Sequence, residues 1–185
     1  MKSSASTANG QEVPSSVVTK LTVLGATGSI GLNTLEIVRQ FPQKFKIEAL
    51  SCRSSIERLV EQIKEFKPRL VCVDNSEQAR ELRETFREGN SGTETEFVWG
   101  VEGLVQVSSD PEVDLVVAGI VGAAGLQPTY SAVQAGKTVA VANKEPLVMA
   151  GELFVQTANK TGAKLLPTDS EHNEIFQILH GEPPE

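Results

Sequence analysis

At 185 residues, with 39% hydrophobic and 22% charged residues, the chain has the balance of a folded globular protein and not of a disordered one. That length holds one ordinary domain, or one domain and the beginning of another. A formal net charge of −7 argues against a general nucleic-acid or anionic-membrane surface and leaves room only for local basic pockets.

Residues 1–19 are rich in Ser and Thr, with no Arg and no apolar stretch, and read as a disordered tail rather than a signal peptide. They resemble an organelle-targeting segment only weakly, so the expected location is cytoplasmic, or organellar if the tail is the remnant of such a segment. The folded part is predicted to begin at Lys20. Residues 21–24 form a short apolar run, followed by GATGSIG at 25–31 and a helical pattern through Leu32, Leu35, Ile37 and Val38 that Pro42 ends. A second strand is predicted over 45–52. Ile56, Leu59, Val60, Ile63 and Phe66 then recur at helical spacing up to Pro68. A third strand over 70–73 leads to a charged helix over 76–88, a polar turn at 89–95, a strand at 97–99 and a short helix near 101–107.

Residues 115–120 are almost wholly apolar, as suits a parallel strand covered on both faces. The surrounding run, 115–126, contains three glycines and falls short of the about 20 residues needed to span a bilayer. A helix over 126–135 with Gly136 as its cap, a strand over 138–142, a helix over 145–159 and a strand over 164–166 complete the pattern. Strands alternating with helices predict an α/β fold, a doubly wound parallel sheet of Rossmann-like type. The expected organisation is the tail at 1–19, one α/β domain at 20–167, and a further segment at 168–185. Cys52 and Cys72 lie in apolar runs and read as buried cytosolic thiols, not as a disulfide framework or a zinc site.

Three stretches carry chemistry. Gly25, Gly28 and Gly31 stand between a strand and a helix, where backbone N–H groups and the helix dipole favour a pyrophosphate; the place on the first strand of an α/β sheet favours dinucleotide binding over the alternative, a tight turn without ligand. At the end of the second strand, Ser51-Cys52-Arg53-Ser54-Ser55 has no acid to accept from a ribose 2′-hydroxyl. Arg53, with Ser54 and Ser55, suits a 2′-phosphate and so NADP; alternatively Arg53 is a solvated loop residue and a serine caps the next helix.

The second stretch is Ala142-Asn143-Lys144-Glu145, which follows a buried strand and opens a helix. Asn143 as N-cap, Glu145 in the first turn and Pro146 beside them satisfy helix chemistry alone. Lys144 is left without such a reason and would suit an anionic substrate, and the two readings stand level. The third is Asp169-Ser170-Glu171, two carboxylates at i, i+2 spacing after an apolar strand. In extended backbone both would face one hard divalent cation. Thr168-Asp169-Ser170-Glu171 is also a capping box, the reading that the residues alone favour, and two carboxylates need further ligands to hold magnesium or manganese. His172 reads as a packing or surface residue, and His180 carries no signal.

Taken together, LGATGSIGLNTL at 24–35, IVGAAGLQPT at 120–129, AGKTVAVANKEPLV at 135–148 and LLPTDSEHNEIFQ at 165–177 resemble the N-terminal part of the 1-deoxy-D-xylulose 5-phosphate reductoisomerase family. The resemblance covers about residues 20–180 and implies an NADP-binding domain at 20–167 and, at 168–185, the incomplete start of a metal- and substrate-binding catalytic domain. It implies an enzyme that uses NADPH and a divalent cation (magnesium, manganese or cobalt) to rearrange and reduce a phosphorylated keto-sugar, giving 2-C-methyl-D-erythritol 4-phosphate in the non-mevalonate isoprenoid pathway. It further implies that Thr27, Gly28, Ser29, Ile30, Asn143 and Glu145 contact the cofactor. Lys144, Ser170 and Glu171 would contact the substrate, with Lys144 and Glu171 in catalytic roles, and Asp169 and Glu171 would bind the metal. A homodimer is implied for the full-length protein.

Two departures stand out: Cys52-Arg53-Ser54-Ser55 replaces the family's small glycine-containing turn, and Pro146 follows Lys144-Glu145. The family's third carboxylate ligand, substrate-phosphate site and indole-bearing lid are expected beyond the DSEHN segment, and Trp99 is too early to serve as that lid. Residues 181–185 read as a linker or truncation point. Two other readings compete. One is a folded NADP-binding fragment without activity. The other is a semialdehyde or acyl-phosphate dehydrogenase, which needs an activated Cys nucleophile that neither strand cysteine suits. Short-chain reductases are excluded because Gln134, not Lys, stands four residues after Tyr130.

Overall fold

Seven short strands pair in parallel into one sheet, in the order β4-β3-β2-β1-β5-β6-β7. The computed structural model describes residues 18–88, 94–142 and 145–167. The strands are β1 (Thr19–Leu24), β2 (Phe45–Ser51), β3 (Leu70–Val73), β4 (Glu96–Trp99), β5 (Leu115–Ala118), β6 (Thr138–Val141) and β7 (Lys164–Pro167). Between them run α1 (Ser29–Gln40), α2 (Ile56–Phe66), α3 (Ser76–Glu88), α4 (Gly100–Ser109), α5 (Leu126–Gln134) and α6 (Glu145–Thr161). The fold is α/β and Rossmann-like, as the alternation predicts. The tail at 1–17, the turn residues 89–93 and the segment 168–185 lie outside the described residues.

Alternation along the strands divides the interior into two layers. Leu21, Val23, Ile47, Val71, Val73, Leu115 and Val117 face Leu35, Val38, Leu59, Ile63, Ala79 and Leu82, so α1, α2 and α3 cover one side. Leu24, Leu70, Cys72, Val116, Ala118, Val139 and Val141 face Val107, Ala132, Val133 and Phe154, so α4, α5 and α6 cover the other. Strands buried on both faces need apolar residues at successive positions, and β3 and β5 are buried throughout.

Helix ends follow local chemistry. At the end of α5, Gly136 (φ 73°) donates to Val133 and Lys137 donates to Ala132, a Schellman pair that needs a left-handed residue at Gly136. The predicted strand over 115–120 ends two residues early, at Ala118. There Gly119 turns its N–H to the carbonyl of Leu24 (3.0 Å), and a short 3₁₀ turn, Ala123–Gly125, precedes α5. Helix α6 kinks at Ala150 (φ −145°), beside Gly151, and leaves Val148, Met149, Leu153 and Val155 exposed. Tyr130 packs edge-on against Phe154 (centroids 5.4 Å apart) and its hydroxyl lies 3.0 Å from Thr157 Oγ1, joining α5 to α6. Both cysteines are buried and free, Cys72 in β3 and Cys52 one residue past β2.

The amino-terminal edge of the sheet holds a charge cluster that no sequence pattern announces. Register passes from Leu21–Ile47 to Thr22–Ala49, so Glu48 is the extra residue of a β-bulge. Its side chain is 4% exposed and accepts from Arg69 Nε and Lys46 Nζ, each at 3.0 Å. Arg69 also donates to Asp110, at the end of α4, and these bonds hold the guanidinium above its ordinary pKa, Asp110 first. One arginine thereby ties β2, β3 and α4 together. Replacing Arg69 by Ala would take the ion-pair partner from buried Asp110 and leave buried Glu48 with Lys46 alone. The expected loss is about 3 kcal/mol, the low end for a broken buried pair because Arg69 itself is partly solvated. Urea unfolding with an unchanged m-value checks this; a change within experimental error would show the cluster to be a surface pair in effect.

Candidate functional site

Strands β1 and β5 are neighbours whose following helices pass to opposite faces, which opens a crevice beyond their carboxyl ends. The loop 25–28 after β1 and the loop 119–125 after β5 form its walls. They meet backbone to backbone: a Cβ on Gly25 (φ +78°) would lie 3.0 Å from Gly119 O, and one on Gly119 would lie 2.9 Å from Leu24 O. A Cβ on Gly31 would come within 2.5 Å of Ala26 Cα, so the first turn of α1 sits directly on the loop. Gly28 differs, since a Cβ there would meet only Gly25 O at 3.4 Å. Internal packing demands glycine at 25 and 31, but leaves the space above 28 open.

The loop's polar groups are committed in one direction. Gly25 N–H donates to Ser51 Oγ (3.0 Å), Ala26 N–H to Ser51 O (2.8 Å) and Gly28 N–H to Gly25 O (3.0 Å). Helix α1 then starts at Ser29 with no side-chain cap and no acidic residue in its first turn. Its opening N–H groups and the positive end of its dipole therefore meet no side-chain cap and no first-turn acid of the helix itself.

The turn after β2 forms the far wall. Ser51 and Cys52 are buried, and Cys52 Sγ lies 3.2 Å from Thr27 Oγ1. Arg53 is 86% exposed, and its Nε lies 3.8 Å from Asp74 Oδ1. Ser55 occupies the N-cap position of α2, but its hydroxyl makes no capping bond. Ser54, Ser55, Ile56, Glu57 and Arg58 line an open hollow of about 460 Å³.

Two residues of α2 join the site without having been singled out from the sequence. Arg58 Nη1 donates to Thr27 O (3.2 Å) and Gln62 Nε2 donates to Ala26 O (3.0 Å). Gln62 is 3% exposed, and its Oε1 is buried without a hydrogen-bond partner among the described residues. A signal for Gln62 was available, since it stands on the apolar stripe with Leu59, Ile63 and Phe66. Arg58 had none, reading as an ordinary polar position in an amphipathic helix.

Along this sheet edge, the carboxyl ends of β2, β1, β5, β6 and β7 follow one another in that order. Thr27, Gly28, Ser29 and Ile30 thus share one edge with the turn bearing Arg53, Ser54 and Ser55, and with Glu145 at the exposed start of α6. Asn143 and Lys144 lie outside the described residues, as do Asp169, Ser170, Glu171, His172 and His180. Among the described residues no three His, Cys, Asp or Glu side chains form a metal cluster, and no helix is long and apolar enough to cross a membrane. Burial, then Asp74, pushes the Cys72 thiol up to about 12, the opposite of what a nucleophilic cysteine needs.

The model of the family described as 1-deoxy-D-xylulose 5-phosphate reductoisomerase matches residues 21–151. The chain belongs to this family. It is 52% identical over 165 residues to the reductoisomerase of Dechloromonas aromatica, covering 89% of this chain and 41% of that protein. It is 48% identical over 166 residues to that of Glaesserella parasuis, covering 90% and 41%. A crystal structure of a DOX-P reductoisomerase in complex with NADPH, fosmidomycin and magnesium superposes with a TM-score of 0.79 at 46% identity, covering 86% of this chain and 38% of that one. The Zymomonas mobilis reductoisomerase in complex with NADPH gives 0.77 at 36% identity, covering 87% and 41%. The chain therefore spans about two fifths of the length of the family members it matches. The matched part is the family's N-terminal domain.

The two kinds of glycine separate by experiment. Gly31→Ala is expected to lower unfolding free energy by about 1–3 kcal/mol through overpacking against Ala26. Gly28→Ala, at an N-cap position with room for a methyl, should cost less than about 1 kcal/mol. Equal losses in urea unfolding would refute the distinction.

Proposed function

We infer that the chain is the dinucleotide-binding part of an enzyme that converts 1-deoxy-D-xylulose 5-phosphate to 2-C-methyl-D-erythritol 4-phosphate with NADPH. The observation that carries this reading is the start of α1: an uncapped, acid-free helix N-terminus at the switch between β1 and β5, on a loop whose carbonyls are held from α2. These residues fit a pyrophosphate, because the opening N–H groups supply donors and Gly28 leaves room for close approach. Membership of a family whose solved members include complexes with NADPH supports the choice of ligand.

When bound, NADPH supplies the hydride and a divalent cation (magnesium, manganese or cobalt) supplies a Lewis acid. In this reading Thr27, Gly28, Ser29 and Ile30 hold the pyrophosphate. The turn with Arg53, Ser54 and Ser55 meets the adenosine end, where NAD-binding sheets carry an acid and this turn carries none. Asn143 and Glu145 position the cofactor on the β6 side. Lys144, Ser170 and Glu171 bind the phosphosugar, with Lys144 placing positive charge near oxygens that gain electron density. Asp169 and Glu171 are assigned to the cation on the strength of the family resemblance.

NADPH at 100 times its Kd is expected to stabilise the 185-residue chain by about 2.7 kcal/mol. In a chain of this size that raises Tm by about 5–10 °C. The same chain is expected not to consume NADPH when given 1-deoxy-D-xylulose 5-phosphate and magnesium, since the reading puts part of the catalytic machinery in length that the relatives have and this chain does not span. No thermal shift would overturn the dinucleotide assignment, and steady turnover would overturn the division of labour. Binding without turnover also describes an inert fragment; activity on adding the downstream part of a relative separates the two.

A further inference from the structure

We propose that Arg58 is the specificity-determining cation of the dinucleotide site, the residue that meets the 2′-phosphate by which NADPH differs from NADH; this rests on the NADPH reading above. Its guanidinium is fixed by Thr27 O at 3.2 Å, between the glycine loop and the turn after β2, where a doubly wound sheet receives the adenosine ribose. That bond uses one of the five guanidinium donors. Among the described residues Arg58 has no ion pair, whereas Arg39 is paired with Glu65, Arg53 with Asp74 and Arg69 with Glu48 and Asp110.

The neighbours agree with this assignment. Arg58 shares its hollow with Ser54 and Ser55, and Ser55 is not engaged in capping. Glu57, on the same hollow, is the one carboxylate lining it and opposes an anion, so recognition depends on the planar fork of Arg58 and not on a broadly positive surface. Arg53 is held the other way: Asp74 faces its guanidinium, and Gln78 Nε2 donates to its carbonyl at 3.3 Å. Gln62, one turn beyond Arg58, fixes Ala26 O, so the loop keeps its place when Arg58 releases or shares Thr27 O.

The test uses the 185-residue chain and its Arg58→Ala, Arg58→Lys and Arg53→Ala variants, titrated with NADPH, NADH, 2′,5′-ADP and 5′-AMP. Arg58→Ala is expected to weaken NADPH and 2′,5′-ADP by about 10- to 100-fold, with NADH and 5′-AMP unchanged within about twofold. Arg58→Lys should restore part of the loss, because it returns the charge without the fork. Arg53→Ala, in the turn that meets the adenosine end of both dinucleotides, should affect NADPH and NADH alike and change their ratio by less than about threefold. Equal weakening of NADPH and NADH by Arg58→Ala would make Arg58 a support of the loop only and overturn the proposal, as would discrimination lost in Arg53→Ala. A wild-type chain that binds neither dinucleotide would remove the NADPH reading and this one with it. A chain that binds NADPH but keeps its preference in Arg58→Ala would remove this one alone.

Discussion

The contact between Gly25 and Gly119 is the constraint on which the functional edge depends. Strands β1 and β5 must run side by side, and their chains must then leave for opposite faces of the sheet. Gly119 N–H reaches Leu24 O at 3.0 Å, and neither glycine could carry a Cβ without pressing on the other loop. Larger residues there would push the two loops apart and widen the crevice at its floor. A wider floor would move the start of α1 away from the β5 loop, and any ligand spanning both would lose one wall. Gly31 applies the same constraint a turn later by letting α1 rest on Ala26.

Given that floor, the loop's hydrogen bonds are sorted by direction. Ser51 takes the N–H groups of Gly25 and Ala26 from the β2 side. Gln62 and Arg58 take the carbonyls of Ala26 and Thr27 from α2. The first-turn amides of any helix have no acceptor within the helix itself, so their direction is set by what the preceding loop leaves open. Here the acceptors are occupied from behind, and the first-turn amides remain directed at the crevice. An anion site results from donors left over once the acceptors have been claimed, with no basic side chain needed at its centre.

Most of the architecture was legible in the sequence because it rests on local signals. Apolar runs buried on both faces, Pro42 and Pro68 after helices, and Gly136 as a left-handed cap all act within a few residues of themselves. The glycine loop and the missing acid after β2 were legible for the same reason. What was not legible depends on side chains that reach across space. Arg53 and Arg58 are both polar residues near one turn, and it is the placement in space that sets one beside Asp74 of the neighbouring β3–α3 turn and the other on the Thr27 carbonyl. Gln62 could have been noticed as a polar residue on an apolar stripe. Glu48 could not, because its burial follows from a bulge in register with β1 and from an arginine 21 residues away. The early end of β5 belongs to the same class, since its last ladder bond, from Gly119 N–H to Leu24 O, falls where β1 itself ends.

The two edges of the sheet have opposite electrostatic designs, and the contrast has a physical reason. At the amino-terminal edge, Glu48 and Asp110 are buried and share Arg69, while Lys20 pairs with Glu112 at 2.5 Å. Charges there are internally compensated, which locks β2, β3 and α4 in register and leaves nothing for a ligand to neutralise. At the carboxyl edge the strand ends carry helix N-termini, an uncapped α1 and an arginine, Arg58, that among the described residues bonds a carbonyl and no carboxylate. Parallel strands put every following helix N-terminus on one edge, so positive dipole ends accumulate there whatever the side chains are. The sequence sets no acid in the first turn of α1 and so leaves that potential unspent. A site for a polyanion then requires rigidity more than added charge. That rigidity comes from glycine contacts beneath the loop, α2 behind it, and the compensated cluster at the far end of the same strands.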